Sequence, residues 1–369
     1  MEEAYKLDCG RRRLRNILIV LASLLLLAAG CLAGVALYVA NALQPMEPTG
    51  SEVHVQIEKG MDTRSIADAL AEHGIIRDSF IFTLYVKYKH EGSRFQAGEY
   101  AMKPGIKLDD IIQKLNSGDT VKAATVRFTI PEGYTVEQIA DKLGKLGIVN
   151  KEKFLALAKK PELFSAKHIG DIPKNPALKE PLEGYLFPET YEMKKGSTEQ
   201  EIIERMLQEL DRKLDTLPAD WQSKMQKNGV TFHQLLTIAS LIEREAVLPE
   251  ERPIISSVIY NRLHNKQPMP LQIDATIQYA LGKQKEKLYA DDLKVDSPYN
   301  TYLHLGLPPG PIADPSLASI KAALEPASTK YYYYVTRKDG SNGHYFAKDF
   351  NEHKANRLKS EKNAANRGN

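Results

Sequence analysis

Cysteine is almost missing from this chain of 369 residues, which contains two. Cys9 and Cys31 both lie close to the N-terminus, and no cysteine follows them. The remainder of the chain therefore cannot form an internal disulfide, and we expect burial of an ordinary apolar core to stabilise it.

The common catalytic signatures are also missing. The sequence has no His-Glu-x-x-His, no Cys-x-x-Cys, no Gly-Lys-Ser or Gly-Lys-Thr phosphate loop and no Gly-x-Ser-x-Gly elbow. We therefore predict no metal and no cofactor. A charge surplus is lacking too, because 50 basic side chains balance 47 acidic ones. Nucleic acid is excluded as an expected partner, since such proteins carry a strong basic footprint.

Near the N-terminus the chain has one long apolar run, residues 17–39, without a charged side chain. At about 1.5 Å per residue this is long enough to cross a bilayer. Arginines precede the run and none follows closely, so the positive-inside bias places residues 1–16 in the cytoplasm and the rest outside. The alternative is a cleaved signal peptide with the Ala-Asn-Ala at 40–42, but the run exceeds the usual apolar length. We predict a single-pass anchor.

After a Pro- and Gly-containing linker at 40–52, the chain repeats itself. Residues 57–76 match residues 130–149 in register, and a degenerate third copy runs from Tyr100 to Leu115. Each copy predicts a strand, a glycine turn and a short helix. Such units resemble LysM-like modules, which bind cell-wall glycan; a packing unit without a ligand is the alternative. We predict an α+β fold with a LysM-like subdomain at 53–125 and a catalytic domain at 126–358.

The stretch from Thr231 to Pro249 reads as one helix that carries two acids. Thr231 and Gln234 form a capping-box start, and Pro249 is a stop signal. On a helical wheel Glu243 and Glu245 flank an apolar stripe, and a polar face of Thr237, Ser240 and Arg244 lies opposite. A carboxyl held against apolar surface has a raised pKa and can act as a general acid. The wheel does not choose between the two acids, and pairing with Arg or Lys is the alternative for both.

Three other stretches, residues 271–279, 296–302 and 306–312, are rich in Gly, Pro, Asn and Tyr, and we predict that they are loops that line a cleft. In residues 181–191 the aromatic side chains alternate as in an extended segment, which leaves one face free to stack on sugars, although core packing is the alternative. Residues 330–336 and 344–346 predict a hairpin. The chain from 359 to 369 is polar, and we expect it to be frayed.

Several of these blocks together resemble one known family, the endolytic murein transglycosylases (the MltG or YceG-like family). The resemblance covers the whole chain. The matching blocks are Leu-Glu-Gly-Tyr-Leu-Phe-Pro-Glu-Thr-Tyr (182–191), Ala-Ser-Leu-Ile-Glu-Arg-Glu (239–245), Leu-Gln-Ile-Asp-Ala-Thr-Ile-Gln-Tyr (271–279), Ser-Pro-Tyr-Asn-Thr-Tyr (297–302) and Gly-Leu-Pro-Pro-Gly-Pro-Ile (306–312).

The resemblance implies a lytic transglycosylase that cuts peptidoglycan between MurNAc and GlcNAc and leaves 1,6-anhydro-MurNAc ends, terminating the growth of nascent strands. It implies a bacterial cell membrane location and membrane-bound peptidoglycan synthases as partners. The family's catalytic glutamate corresponds to Glu245. The change from Lys to Arg at position 244 is expected to matter little, because the wheel puts Arg244 on the polar face.

For the remaining site residues the sequence gives hypotheses. Candidate substrate-binding residues are Gln272, Asp274, Tyr299, Asn300 and Tyr185. For the first four, loop-stabilising hydrogen bonds are the alternative. Glu243 is assigned to structure, paired with an arginine such as Arg252 or Arg262. Two other functions stay open: a hydrolase that uses Asp274 as a second carboxylate, and a non-catalytic wall-binding anchor.

Overall fold

A computed structural model describes residues 2–121, 124–285 and 287–367, with side chains from Leu21 onward. It confirms the α+β class. The helices are α1 (Glu2–Ala42), α2 (Thr63–Glu72), α3 (Ser79–Tyr88), α4 (Leu108–Ser117), α5 (Val136–Lys145), α6 (Lys151–Ala158), α7 (Glu199–Leu214), α8 (Trp221–Lys227), α9 (Phe232–Glu245), α10 (Arg252–Leu263), α11 (Asp274–Leu281), α12 (Leu317–Leu324) and α13 (Phe350–Arg367). The strands are β1 (Val53–Ile57), β2 (Gly98–Met102), β3 (Thr125–Thr129), β4 (Thr190–Lys194), β5 (Tyr333–Thr336) and β6 (His344–Ala347).

Helix α1 contains the apolar run. Its segment Leu21–Ala42 has a mean hydropathy of 2.2 and is long enough to cross a membrane. It is the one such segment among the described residues. The helix continues without a break from Glu2, so residues on both sides of the predicted start at Ile17 share one helix.

The chain divides into two compact units, Met1–Ala123 and Ala124–Asn369. In the first unit β1 pairs antiparallel with β2, from Val53 opposite Met102 to Ile57 opposite Gly98. Helices α2, α3 and α4 complete a separate apolar core. The predicted strand, turn and helix of the first and third repeat copies are present here. Gly60 and Gly105 occupy the turns at φ +94° and +97°, where glycine avoids the strain of a side chain.

The second unit begins with the same pattern. Strand β3, a turn at Gly133 (φ +73°) and helix α5 form the second repeat copy, and β3 pairs antiparallel with β4. A larger apolar core follows, to which α5, α7, α9, α10 and α12 contribute. In helix α9 every residue from Phe232 to Ile242 is buried except Gln234. The helix therefore lies inside this core.

Helix α9 is shorter than predicted. The capping box of Thr231 and Gln234 is present, but the helix ends at Glu245 rather than near Pro249. Ala246 is extended at φ −89°, ψ 113°, and Leu248 at φ −82°, ψ 127°. Helical backbone is disfavoured for the residue before a proline, here Leu248, so the helix ends before Pro249. Glu245 is therefore the last helical residue.

The prediction of a polar, wet face on α9 was also wrong. Thr237 and Ser240 are buried. The Thr237 hydroxyl donates to the His233 carbonyl at 2.8 Å, and Ser240 Oγ accepts the Ile312 N–H at 3.1 Å. Short hydroxyl side chains can satisfy their own hydrogen bonds within or beside a helix, which allows them into a core.

The aromatic segment at 182–188 has no free face. All of these residues are buried, including Tyr185 and Phe187, and Tyr191 beyond them is buried as well. The prediction that one face could stack on sugars was wrong, and the core alternative holds. The aromatic side chains that alternate in the sequence belong to a turn segment that is buried on both sides.

At the C-terminus the predicted hairpin is confirmed, with β5 antiparallel to β6. The expectation of a frayed end from 359 was wrong for the described residues, because α13 continues to Arg367. Ser360 is buried, and the Asn363 side-chain amide donates to the Arg337 carbonyl at 2.7 Å. Residues 368–369 lie outside the described residues.

Candidate active site

Glu245 lies where α9 leaves the core. Its side chain is half-buried, while Ile242 before it and Ala246 after it are buried. The early end of the helix thus puts the carboxyl at the boundary between core and surface. A carboxyl there is desolvated but can still be reached.

Tyr334 on β5 is the direct partner of this carboxyl. Its hydroxyl donates to Glu245 Oε2 at 3.0 Å. Burial raises the pKa of Glu245, and the negative charge of Asp274 raises it further. The hydrogen bond from Tyr334 and the nearby side chains of His344 and Arg244 oppose this rise without cancelling it. Glu245 therefore keeps its proton to higher pH than an ordinary glutamate.

Asp274 begins α11, in a block that was predicted as loop. Its side chain is exposed, and it accepts a hydrogen bond from the Tyr302 hydroxyl at 2.5 Å. Burial raises the pKa of Tyr302 and that of Tyr334. Both tyrosines therefore stay protonated as donors, so each of the two carboxyls has its own phenol partner.

Arg262 on α10 ties the two sides of this site together. Its guanidinium is buried and donates to the carbonyls of Leu271 and Tyr332, each at 2.6 Å, and of Pro270 at 3.3 Å. Pro270 and Leu271 lead to Asp274, and Tyr332 leads to Tyr334. Because one rigid guanidinium fork holds both backbones, Arg262 fixes the position of Tyr334 relative to the loop before Asp274.

Strand β6 supports Tyr334 from behind. His344 Nδ1 lies 2.6 Å from Glu251 Oε2, and the His344 backbone N–H donates to the same carboxylate at 2.9 Å. Both side chains are buried. The His344 ring meets the Tyr334 ring edge-on, with centroids 5.4 Å apart. This buried pair limits the rotation of Tyr334.

Glu243 has a different environment. Its Oε2 accepts hydrogen bonds from the Ser316 N–H at 3.0 Å, the Ser316 hydroxyl at 2.5 Å and the Ser319 hydroxyl at 2.7 Å. Ser316 is the N-cap of α12, where free N–H groups favour a carboxylate. The prediction of an arginine partner was wrong. Arg262 is engaged by backbone carbonyls, and the start of α12 supplies the donors instead.

Arg244 is not on a wet face either. It is half-buried, its Nη1 donates to the Gly133 carbonyl at 3.2 Å, and it lines two depressions. The more enclosed one, of about 180 Å³, is lined by Lys179, Glu180, Gln278 and Tyr279 among others. The expectation that position 244 matters little therefore loses its stated reason.

The other predicted site residues form two groups, the first exposed and the second buried. Gln272 is exposed close to Asp274 in sequence, with its backbone at φ +49° and its N–H donating to the Thr301 carbonyl at 3.0 Å. Tyr299 and Asn300 are buried. The Asn300 side-chain amide donates to the carbonyls of Leu293 and Val295, each at 2.9 Å. This is the arrangement expected of the loop-stabilising alternative.

Tyr185 belongs to the second group as well. It is buried in the core, and its hydroxyl lies 3.0 Å from His233 Nδ1. In this conformation its ring cannot meet a sugar.

A raised pKa does not by itself distinguish Glu245. Burial raises the pKa of Glu183 to about 8 and that of Asp314 well above the ordinary range. Glu183 accepts the Val136 N–H and the Tyr279 hydroxyl, each at 3.0 Å, and Asp314 accepts the Leu186 N–H at 3.0 Å. Both are fully enclosed, so they hold the core together, whereas Glu245 keeps some exposed surface.

Sequence reasoning missed Tyr302, Tyr334 and the clamp formed by Arg262. Tyr302 lies in the same block as Tyr299, but only the structure reveals which tyrosine reaches Asp274. Tyr334 is one of four consecutive tyrosines, and strand alternation alone offers two of them for each face. No signal in the sequence indicated that Arg262 binds carbonyls.

The YceG-like family profile matches residues 55–359. The chain is 40% identical over 331 residues to the endolytic murein transglycosylase of Bacillus subtilis, covering 87% of this chain and 88% of that protein. The chain belongs to the YceG-like family. This confirms the predicted family and the prediction that the chain is an enzyme.

Two further relatives agree. The endolytic murein transglycosylase of Streptococcus pneumoniae serotype 2 is 34% identical over 86% of this chain, which spans 60% of that protein. The crystal structure of a yceG-like protein from Listeria monocytogenes superposes with a TM-score of 0.55 at 36% identity, covering 83% of this chain and 99% of that one.

Proposed function

We propose that this YceG-like protein is an endolytic lytic transglycosylase of peptidoglycan and that Glu245 is its acid and base. The observation that carries the proposal is a half-buried carboxyl with a raised pKa and a phenol partner, at the surface end of a core helix. The names of the relatives in Bacillus and Streptococcus support the substrate and the endolytic cut.

In the proposed reaction, protonated Glu245 donates its proton to the glycosidic oxygen between MurNAc and GlcNAc. The bond from that oxygen to the MurNAc anomeric carbon breaks, and GlcNAc leaves with a free hydroxyl. The C6 hydroxyl of the same MurNAc then bonds to the anomeric carbon. The Glu245 carboxylate accepts the C6 proton, which restores the acid without consuming water.

Tyr334 and Asp274 adjust this cycle in opposite directions. The Tyr334 hydroxyl stabilises the carboxylate that exists between the two proton transfers, whereas the charge of Asp274 disfavours that carboxylate. The carboxyl is thereby an acid that ionises when the leaving group needs its proton and a base strong enough to recover one.

The chemical ends of the released glycan fragments test the proposal. Full-length protein in detergent is incubated with purified glycan strands, and the fragments are weighed by mass spectrometry. We expect new MurNAc ends that are lighter than reducing ends by one water. The matched control is Glu245→Gln, which we expect to release no fragments above background. Fragments with only reducing ends would refute the transglycosylase assignment.

A two-carboxylate hydrolase is the second candidate, because the charge of Asp274 acts on Glu245. In that reaction Asp274 would activate water or attack the sugar, and the same experiment would give reducing ends. Asp274→Asn would then abolish cleavage, whereas the transglycosylase proposal expects it to retain most of its activity.

We also propose that Leu21–Ala42 anchors the enzyme in the bacterial cell membrane with its N-terminus in the cytoplasm, where it terminates nascent strands beside membrane-bound synthases. The length and hydropathy of α1 support the anchor. Proteolysis of intact spheroplasts tests the orientation. External protease should remove the part after Ala42, and protection of that part would contradict the proposed topology.

A further inference from the structure

Helix α3 has an apolar stripe on its outer surface. Phe80, Leu84 and Tyr88 are 55%, 46% and 79% exposed, and they follow one another at intervals of four residues. Side chains at this spacing lie along one face of a helix. The opposite face, with Phe82 and Val86, is buried in the core of the first unit. Helix α3 therefore has one apolar face toward the core and another toward the surroundings.

The stripe begins beside the end of the apolar helix. The Tyr38 hydroxyl on α1 donates to the carboxylate of Asp78, which is the N-cap of α3. The Arg77 guanidinium donates to the Pro45 carbonyl at 3.2 Å, just beyond the end of α1. Tyr38 lies about 6 Å along the helix before Ala42, given a rise of about 1.5 Å per residue. With Leu21–Ala42 as the proposed membrane segment, the contact between Tyr38 and Asp78 puts the start of α3, and with it Phe80, near the end of that segment.

The groups around the stripe suit a lipid headgroup region. The Arg64 guanidinium lies 5.8 Å from the Phe80 ring centroid, and exposed Lys87 directly precedes Tyr88. Basic side chains can extend to phosphates while apolar and aromatic side chains enter the boundary below them. Tyrosines are enriched at this depth, and both Tyr38 and Tyr88 are exposed.

The second repeat copy provides an internal reference. Helix α6 follows the helix of the second copy, α5, as α3 follows the helix of the first, α2, but α6 exposes Glu152, Lys153 and Ala156. A helix at this place after a repeat copy therefore does not require an exposed apolar stripe. The stripe on α3, beside the membrane helix, needs an explanation of its own.

We propose that Phe80, Leu84 and Tyr88 insert into the lipid interface of the leaflet where α1 ends, so that the first unit rests on the membrane. The inference rests on the proposed membrane anchor. Together with the bonds from Tyr38 and Arg77, this second attachment would hold the first unit against the bilayer rather than on a loose stalk.

The test uses full-length protein with both native cysteines replaced by serine and one new cysteine in each variant. Leu84→Cys reports the stripe, Ala156→Cys on α6 is the matched control, and Leu27→Cys reports the anchor. Each carries the fluorophore NBD in vesicles of phosphatidylcholine and phosphatidylglycerol that contain spin-labelled lipids. We expect blue-shifted emission and several-fold stronger quenching by shallow spin labels at 84 than at 156, and quenching by deep labels at 27.

Each other outcome overturns the inference in a recognisable way. If 27 is quenched and 84 behaves like 156, the anchor stands and the stripe does not enter lipid. If 27 is not quenched either, the anchor itself is wrong. If 84 is blue-shifted but unquenched, and the shift disappears when the protein is diluted in excess lipid, a second copy of the chain covers the stripe.

Discussion

Two acids only two residues apart on α9 have opposite surroundings. The carboxyl of Glu243 accepts three hydrogen bonds at the start of α12, from the Ser316 N–H and from the hydroxyls of Ser316 and Ser319. The carboxyl of Glu245 is desolvated by burial and lies near the negative charge of Asp274, both of which disfavour its ionisation, and the one phenol donor, Tyr334, offsets this only in part. The same residue type on one helix thus serves as a structural hydrogen-bond acceptor in one place and as a candidate proton donor in the other.

The difference follows from what each carboxyl meets across the core. A helix N-terminus stabilises a fixed negative charge, and that interaction contributes to folding. A half-buried site with few donors leaves the carboxyl reactive at the expense of stability. Substitutions at and around the two acids should therefore separate activity from stability.

Glu245→Gln should give the largest loss, roughly 10³-fold in cleavage rate, because the proton donor is removed. Its stability should not fall. Since burial raises the pKa of Glu245 in the folded state, the folded chain binds more protons there than the unfolded chain, and wild-type stability declines as pH rises through that range. Denaturant unfolding at several pH values should show that the free energy of unfolding of the variant rises relative to that of the wild type as the pH increases. A variant equally unstable at all pH values would contradict the assigned environment.

Tyr334→Phe should lower the rate by about 10-fold, since it removes one hydrogen bond to the carboxylate formed during reaction. The same change should raise the pKa of Glu245, because that hydrogen bond lowers it. The alkaline limb of the pH–rate profile should therefore move to higher pH. A matched control is Tyr333→Phe on the same strand, for which we expect no such movement.

Asp274→Asn should have a smaller effect on rate and move the alkaline limb to lower pH, because the charge that raises the pKa of Glu245 is lost. Asp274 is exposed, so the difference between variant and wild type should shrink as salt is added. If the alkaline limb moves in opposite directions in Tyr334→Phe and Asp274→Asn, both groups act on the pKa of Glu245. A limb that ignores both changes would mean that another group titrates.

Glu243→Gln should change the cleavage rate per folded molecule by no more than a few-fold, but it should lower the free energy of unfolding by about 1–3 kcal/mol, because the donors of Ser316 and Ser319 lose their carboxyl acceptor. Thermal unfolding measures the loss. A folded Glu243→Gln variant that has lost most of its activity would show that the roles of the two acids are not separable.

Much of this architecture could be predicted from local signals. The strand, glycine turn and helix of each repeat copy, the capping box of α9 and the C-terminal hairpin depend on residues near one another in sequence. The family resemblance pointed to Glu245, and its role as acid and base remains a prediction.

What failed depended on contacts between distant residues. The helical wheel assumed one wet side for α9, but Ser240 meets Ile312 and Glu243 meets Ser316 from other parts of the chain. Tyr334 reaches Glu245 across 89 positions. Such pairings depend on tertiary packing, which periodicity within one segment does not encode.

The most direct test of the central claim compares Glu243→Gln and Glu245→Gln on the same purified glycan strands, with fragment ends identified by mass spectrometry. The account predicts that Glu243→Gln releases 1,6-anhydro ends at close to the wild-type rate per folded molecule and that Glu245→Gln releases none. Activity in Glu245→Gln, or its loss in a folded Glu243→Gln variant, would contradict the assignment of the proton donor.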